Sequence, residues 1–167
     1  EDFNIREKIG CISVYELNDN KYKFLGKALE EPFHLSFPFI FEYSNNIYMI
    51  PETRSNNTIS LYKCIDFPIK WKFEKYLIHN ISAVDTYVKK LDSSYFMFTN
   101  IENQKNSRNT DLYIFKSDNP ISDNWIPAFN YNPVISKNGG RNAGVLNNSN
   151  SFYRLGQKFG FGEYGHS

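Results

Sequence analysis

Short runs of alternating apolar and polar residues follow one another along most of the chain. Residues 11–17 and 22–29 alternate in this way, and an Asn-Asp-Asn sequence at 18–20 separates them. A period of two is typical of half-buried β-strands, and Asn and Asp between two such runs indicate a hairpin turn. The same pattern predicts hairpins over 36–50 and 59–78. Because no long stretch shows the helical period of 3.6, the sequence predicts an all-β fold.

One unit of this pattern occurs three times: a short apolar strand, a polar turn, and an aromatic strand that ends in a polar residue. To align the three copies, we mark one position in the first strand and the polar residue at the end of the second strand. The marked positions in the three copies are 14 or 15 residues apart: Pro38 and Glu52, Asp85 and Asn100, and Ala143 and Gln157. A repeat of this kind indicates a stacked or radial array of structural units.

The first two copies continue into a second pair of strands. Residues 61–63 match 112–114 at a step of 51, and Trp71 matches Trp125 at a step of 54. The unit is therefore four strands in roughly 50 residues, which is typical of one blade of a β-propeller. We expect both tryptophans to pack in the core, and the polar segment 102–110 to be a mobile loop.

We accordingly predict one propeller-type domain over residues 1–167. It would comprise an outer half-blade, two four-stranded antiparallel blades and an inner half-blade, at 11–30, 33–79, 81–135 and 140–167. This is about three blades' worth of sequence, whereas closed propellers have about four to eight blades. Three explanations stay open: the chain is a fragment of something longer, the sheets close in an unusual way, or a second chain completes the ring.

Composition narrows the function classes. Aromatic residues make up 17% of the chain, which favours β-sheet. The formal net charge of +1 and the lack of any run of like charges argue against a nucleic-acid partner. No apolar stretch reaches the ~18 residues of a membrane-spanning helix. The charged start, Glu1-Asp2, is not a signal peptide; the compartment is unknown from sequence, and a cytoplasmic location is favoured.

No cofactor and no metal site is expected from the sequence. The two cysteines, Cys11 and Cys64, do not make a metal framework, and we expect both to be buried free thiols. No cluster of His, Cys, Asp or Glu has the spacing of metal ligands. The Gly-rich segment 156–165 lacks the spacing and the Lys-Ser/Thr of a phosphate-binding loop.

These residues resemble a known family. Residues 34–41 (HLSFPFIF) and 47–53 (IYMIPET) are similar to a segment of the five-bladed propeller domain found in glucosamine inositolphosphorylceramide transferases. Related bacterial domains lie beside formyltransferase or glycosyltransferase domains, and the fold is similar to that of glycoside hydrolase family 43. Further matching residues are Leu61-Tyr62, Phe67-Pro68 with Trp71, Val84-Asp85-Thr86, Asn132-Pro133-Val134, Arg141 with Ala143-Gly144, Tyr153-Arg154 with Gln157, and Tyr164-Gly165.

The resemblance implies a β-propeller of the five-bladed type that handles carbohydrate. The chain departs from the family pattern at three positions: Phe129 replaces a histidine, Asn142 a proline and Lys158 an acidic residue. The family also continues past Tyr164-Gly165 into another blade. An inactive, truncated remnant therefore stays open as one explanation of the chain.

Equivalent positions of successive blades converge near the axis of a propeller, where the innermost strands line the channel. This geometry predicts a polar site around Asp85, Glu52 and Arg141. Asp85 and Glu52 are the predicted catalytic residues, because glycosidic cleavage uses one carboxyl as acid and another as base or nucleophile. Arginine suits such a site because its fork binds carboxylate or phosphate through two hydrogen bonds. The predicted substrate-binding residues are Arg141, Arg154, Gln157 and His34.

Each of these residues could instead have a purely structural role. Asp85 could bond backbone amides where its strand begins, and Glu52 could be a solvated turn residue or a partner of Arg54. Arg141 could form a plain salt bridge. Arg154 and Gln157 could form an inter-blade hydrogen-bond pair, and His34 could be a packed side chain.

Two functions therefore stay open. The first is a carbohydrate-active domain that binds, and cleaves or transfers, a glycosyl unit at the central polar site, with a carbohydrate or glycoconjugate as partner. The second is a non-catalytic sugar-binding or scaffold module that accompanies a glycosyltransferase or formyltransferase domain, with a missing domain or second chain completing the propeller. In the second function, Tyr48, Tyr87 and Tyr153 would stack on sugar rings.

Overall fold

A computed structural model of the chain describes residues 1–19, 21–102, 111–136, 139–148 and 151–158. Within these ranges the backbone forms β-strands joined by turns, with a single 3-10 turn at Arg54–Asn56. The all-β prediction is confirmed. The expected mobile loop at 102–110, apart from its first residue, and the matching pair Tyr164-Gly165 lie outside the described residues.

The chain divides into two compact units, a first unit at Glu1–Asn80 and a second unit at Ile81–Ser167. The first unit holds two antiparallel sheets. A three-stranded sheet has the order β1-β2-β3, with β1 at Asp2–Asn4, β2 at Ile9–Asn18 and β3 at Lys21–Leu29. A four-stranded sheet has the order β4-β5-β6-β7, with strands at Ser36–Tyr43, Asn46–Thr53, Thr58–Asp66 and Lys70–His79.

The second unit holds a four-stranded and a two-stranded antiparallel sheet. The four-stranded sheet has the order β11-β10-β9-β8, with β8 at Ala83–Leu91, β9 at Ser94–Ile101, β10 at Leu112–Ser117 and β11 at Ile126–Pro127. The two-stranded sheet pairs β12 at Arg141–Asn148 with β13 at Ser151–Gln157.

The two four-stranded sheets confirm the blade-like unit predicted from the repeat. Each sheet is a meander in which strands that follow one another in the sequence are neighbours in the sheet. The limits of a single propeller-type domain, with half-blades at 11–30 and 140–167, stay a prediction.

The same irregularity occurs at the start of each copy of the repeat. Ser36 pairs with Glu52, Val84 with Asn100, and Arg141 with Gln157, a separation of 16 residues in each case. A shift in register, the mark of a β-bulge, follows the first two of these pairs directly. In the third copy it comes one pair later, after Asn142 with Gly156.

The register corrects one detail of the repeat alignment. The sequence pattern equates Asp85 with Pro38 and Ala143, but the residue that directly follows the paired position is Phe37 in the first copy and Asn142 in the third. Phe37 and Asp85 share a left-handed backbone, with φ of 42° and 52°. The one-residue error arises because the extra residue of a bulge leaves no trace in the pattern of apolar positions.

Apolar side chains from both sheets of the first unit form its core. Met49 and Tyr62 of the four-stranded sheet, and Leu35 just before it, pack with Ile12 and Leu29 of the three-stranded sheet. The two tryptophans behave much as expected: Trp125 is buried in the second unit, and Trp71 is partly buried against the core of the first. Cys11 and Cys64 are free thiols as predicted, although only Cys11 is fully buried.

No helix in the described part of the chain is long and apolar enough to cross a membrane.

Truncation of a core side chain in β6 tests this packing. Leu61 is 0% exposed, so Leu61→Ala is expected to lower the free energy of unfolding by about 2–5 kcal/mol through the cavity it leaves. Ile65, in the same strand, is 56% exposed, and Ile65→Ala should cost less than about 1 kcal/mol. Urea denaturation of both variants measures the difference; equal losses would contradict the burial of Leu61.

Candidate functional site

Asp85 lies in the bulge near the start of β8, on a backbone that residues with a side chain rarely adopt. Its φ is 52°, and only 6% of the residue is exposed. A non-glycine residue in the left-handed region costs free energy, and such residues cluster at functional sites. The bulge therefore fixes the direction of one carboxylate within the second unit.

Arg141, the first residue of β12, forms an ion pair with Asp85. Arg141 Nε donates to Asp85 Oδ2 at 2.7 Å, and the side chains are 12% and 8% exposed, respectively. The predicted meeting of Asp85 and Arg141 is thus present. It is also the salt bridge that a purely structural role of Arg141 would give, and burial of both groups makes it stronger than a surface pair.

Two opposing effects act on the Asp85 carboxyl. Burial disfavours its charged form and raises its pKa, while the charge and hydrogen bond of Arg141 lower it; the net direction is upward. A buried carboxyl with a raised pKa and a specific charged partner is a candidate for a functional group.

Asn142 and Asn100 hold the surrounding backbone in place, and both are 0% exposed. Asn142 donates its side-chain amide to the Asp85 carbonyl at 2.9 Å and its backbone N–H to Asn100 Oδ1 at 2.8 Å. Asn100 Nδ2 donates to the carbonyls of Gly140 at 2.9 Å and Asp111 at 3.1 Å. These amides join the starts of β8 and β12 to the end of β9.

Arg154, in β13, donates hydrogen bonds to the backbone around the start of β12. Its guanidinium donates to the carbonyls of Gly139 and Gly140 and, at 3.2 Å, to Asn142 Oδ1. Burial lowers the pKa of this guanidinium. The contacts are those of a structural clamp on the turn before β12, so they favour a structural role for Arg154. A substrate-binding role for Arg154 stays a prediction.

Gln157 combines a structural bond with an acceptor that remains open. Its Nε2 donates to the Asn142 carbonyl at 2.9 Å. Its Oε1 is buried and receives no hydrogen bond from the described part of the chain. A buried acceptor without a donor calls for an explanation. A ligand that donates a hydrogen bond to this oxygen would be one such explanation.

Glu52 and His34 belong to the first unit. Glu52 is partly buried at the end of β5, opposite Ser36 and Ile59. His34 Nδ1 accepts the backbone N–H of Gly10 at 2.9 Å, which matches a packed, structural role. A catalytic role for Glu52 and a substrate-binding role for His34 stay predictions.

Of the three tyrosines expected to stack on sugar rings, only one is exposed. Tyr48 and Tyr87 are 3% and 2% exposed, so the expectation that these two rings stack on sugars is wrong. Tyr87 instead stacks on Phe98 with ring centroids 5.0 Å apart, as part of the packing beneath β8 and β9. Tyr153 is 55% exposed.

The sequence did not predict the central role of Asn142 in the hydrogen-bond network. In the family pattern this residue only stands where a proline is expected. Asn142 makes hydrogen bonds through its side chain and through its backbone N–H and carbonyl, and proline could supply neither an amide side chain nor an N–H. The replacement of a residue that cannot donate by one that can was the available signal. In the described residues no group of three or more His, Cys, Asp and Glu could hold a metal ion.

The amide network gives a stability prediction. Asn100→Ala removes the acceptor of the Asn142 N–H and one of the two donors to the Gly140 carbonyl inside a buried region, and is expected to cost about 2–4 kcal/mol. Asn124, which is exposed, provides the control, and Asn124→Ala should stay within about 0.5 kcal/mol of the parent. Thermal or chemical unfolding measures both; a harmless Asn100→Ala would contradict the network.

The pH dependence of stability tests which effect dominates at Asp85. A raised pKa in the folded state means that the folded chain holds its proton to higher pH than the unfolded chain does. The free energy of unfolding of the parent, relative to Asp85→Asn, should therefore fall as pH rises from about 4, the ordinary aspartate pKa, through the raised value. Urea titrations of both proteins between about pH 3 and 7 measure this. A difference that grows with pH would show that Arg141 outweighs burial.

Comparison with known proteins identifies the family. The family model described as "Glucosamine inositolphosphorylceramide transferase 1, N-terminal" matches residues 3–167. Glucosamine inositolphosphorylceramide transferase 1 of Arabidopsis thaliana is 35% identical over 146 residues, and that of Oryza sativa subsp. japonica is 35% identical over 141 residues. Each alignment covers 81% of this chain, and the chain spans only 18% of the length of each relative.

The fold has a similar solved structure. An exo-β-1,3-galactanase from Phanerochaete chrysosporium, crystallised with β-1,3-galactotriose, superposes with a TM-score of 0.56 at 12% identity. The superposition covers 72% of this chain and 32% of that one. At this identity the likeness shows the propeller-like fold alone. The family match over residues 3–167 and the 35% identity establish that this chain belongs to the family of N-terminal domains of glucosamine inositolphosphorylceramide transferase 1.

Proposed function

We propose that the second unit binds a carbohydrate at the polar site around Asp85, Arg141 and Gln157. The observation that carries the proposal is the buried ion pair of Asp85 and Arg141, held by a bulge and a set of amide hydrogen bonds. The plant relatives carry the name glucosamine inositolphosphorylceramide transferase 1, and the galactanase structure is named with β-1,3-galactotriose. Both names support a sugar as the ligand.

The chemistry of the site suits hydroxyl groups. A carboxylate has about four acceptor positions, and Arg141 Nε occupies one at Asp85 Oδ2. The buried Oε1 of Gln157 is a further acceptor. Sugar hydroxyls both donate and accept, so a single sugar could donate to these oxygens while its ring excludes water. Ligand sites typically have a few fixed polar groups of this kind on a rigid frame.

A second candidate function is cleavage or transfer of a glycosyl unit. The raised pKa of Asp85 favours it, because a general acid must hold a proton near working pH. Such chemistry needs a second carboxyl, and the catalytic role that the sequence predicts for Glu52, in the first unit, stays a prediction. If neither carboxyl is catalytic, the chain is a binding or scaffold module that accompanies a glycosyltransferase domain, or a remnant without activity.

A binding experiment tests the first proposal. A glycan array selects a ligand, and titration calorimetry then compares the parent with Arg141→Lys and Asp85→Asn. Arg141→Lys keeps the positive charge but removes the Nε–H that donates to Asp85 Oδ2, and Asp85→Asn removes the negative charge at nearly the same side-chain size. Each variant should weaken binding about tenfold or more, or roughly 1.4 kcal/mol. Arg6→Lys, at an exposed position, is the matched control and should bind like the parent. Unchanged affinity in both site variants, with folding verified by circular dichroism, would overturn the site.

A release assay separates the enzyme from the binding module. If the chain is a hydrolase, the parent releases reducing sugar from the selected glycan, and Asp85→Asn and Glu52→Gln abolish release. Binding without any release, and with affinity still lost in Arg141→Lys, supports the module and rejects hydrolysis. Absence of both binding and release supports a scaffold or an inactive remnant.

A further inference from the structure

The outer edge of the four-stranded sheet in the second unit carries a projecting loop. β11 pairs with β10 at two residues, and the chain then stays beside β10. The Ala128 N–H donates to the Ile114 carbonyl at 2.9 Å, and Leu112 forms a bridge with Ile135 further along. The outer strand edge therefore continues past β11, with a loop inserted in it.

The side chain of Asn132 closes this loop. Its Oδ1 accepts the Ile114 N–H, and its Nδ2 donates to the Ile114 carbonyl, each at 3.1 Å. Ala128 and Asn132 thus hold the same residue of β10, so the three residues between them, 129–131, project from the strand pairing. In the first unit the equivalent residue, Lys63, pairs with the unbroken strand β7. The loop is therefore an addition to the second sheet and not part of the repeat.

The loop carries two exposed aromatic rings. Phe129 is 42% exposed and Tyr131 is 63% exposed. The rings stack on each other, with centroids 5.7 Å apart and planes inclined by 23°. Two nearly parallel rings leave one face of each directed away from the other. Because hydrogen bonds close the loop at both ends, these faces are positioned before a ligand arrives, and this lowers the entropy cost of binding.

We propose that Phe129 and Tyr131 form a carbohydrate-binding platform, on which an uncharged sugar ring stacks, and that it is built from other residues than the polar site around Asp85. The C–H groups on one face of a sugar ring pack favourably on the negative face of an aromatic ring. The sugar hydroxyls stay at the rim, where the exposed side-chain amide of Asn130 offers both donors and an acceptor. The proposal shares only the class of ligand with the proposed function and does not rest on it.

The charges around the loop favour an uncharged ligand. The segment 118–136 contains Asp118 and Asp123 and no lysine or arginine. Lys116 of β10 lies opposite Ile126, so two carboxylates still face one ammonium group. Nucleic acid also stacks on aromatic rings, but it requires a positively charged groove along its backbone. The same balance of charge disfavours phosphorylated and carboxylated ligands.

The size of the platform favours a sugar over a protein partner. Two aromatic side chains bury at most about 500 Å² between them. A stable protein interface buries about 800 Å² on each partner. A sugar ring covers an area close to that of an aromatic ring, so this pair suffices for one or two sugar units.

Affinity electrophoresis in native gels tests the platform. The probes are three soluble neutral polysaccharides, a β-glucan, a galactan and a mannan, with polygalacturonate as the anionic counterpart. At least one neutral polysaccharide should retard the parent. Phe129→Ala and Tyr131→Ala should each weaken that interaction about fivefold or more, because each removes an aromatic contact.

Two matched variants serve as controls in these gels. Tyr131→Phe keeps the ring and should bind like the parent. Tyr22 is 75% exposed in β3, so Tyr22→Ala removes an exposed ring elsewhere and should also bind like the parent. All these positions are exposed, so every variant should remain folded, which circular dichroism verifies.

The same gels separate the platform from the polar site. Loss of retardation in Phe129→Ala and Tyr131→Ala but not in Arg141→Lys supports the platform and rejects the polar site. Loss in Arg141→Lys alone supports the polar site and rejects the platform. Loss in all three variants supports a sugar chain that contacts both. A parent that no neutral polysaccharide retards, or that polygalacturonate alone retards, would overturn the platform.

Discussion

The side-chain amide of Asn100 is the interaction on which the candidate site depends. β12 has a strand partner only on its β13 side within the described residues, so buried polar groups on its other side need different partners. Asn100 supplies them by accepting from the Asn142 N–H and donating to the Gly140 carbonyl. Asn142 in turn donates to the Asp85 carbonyl. The carboxylate and the guanidinium meet because these amides fix the two strand starts that carry them.

The electrostatics of the site follow from that fixed backbone. Taking a carboxylate and a guanidinium out of water costs more free energy than an ill-placed pair returns. At 2.7 Å, with both side chains nearly buried, the pair of Asp85 and Arg141 offsets part of this cost. The carboxyl still has a raised pKa, which means that burial outweighs its partner. A site in this condition gains from a ligand that offers further hydrogen bonds to the carboxylate, and this is how the fold would support the sugar binding that we propose.

How much could be predicted differs between the fold and the site. The strands, the hairpins and the four-stranded unit could be predicted, because alternation and turn residues are local signals. The pairing of Asp85 with Arg141 could be anticipated from the repeat, since equivalent strand starts recur there. The role of Asn142 was not predicted, because its contacts span 42 and 57 residues of sequence and its replacement of a proline was the one available signal. The prediction of exposed platforms at Tyr48 and Tyr87 was wrong because the sequence of a single strand does not show which of its side chains the fold buries.

The sequence by itself determined the β-strands, their order and the repeating unit, because period-two hydrophobicity and turn chemistry act over a few residues. It also determined membership of the family, through a specific segment at 34–53 and matches along the chain. Only the tertiary structure decided where the bulges fall, which tyrosines are buried, and that Arg154 clamps a turn. These features depend on which strand edges and faces meet, and such meetings are set by packing between residues far apart in the chain.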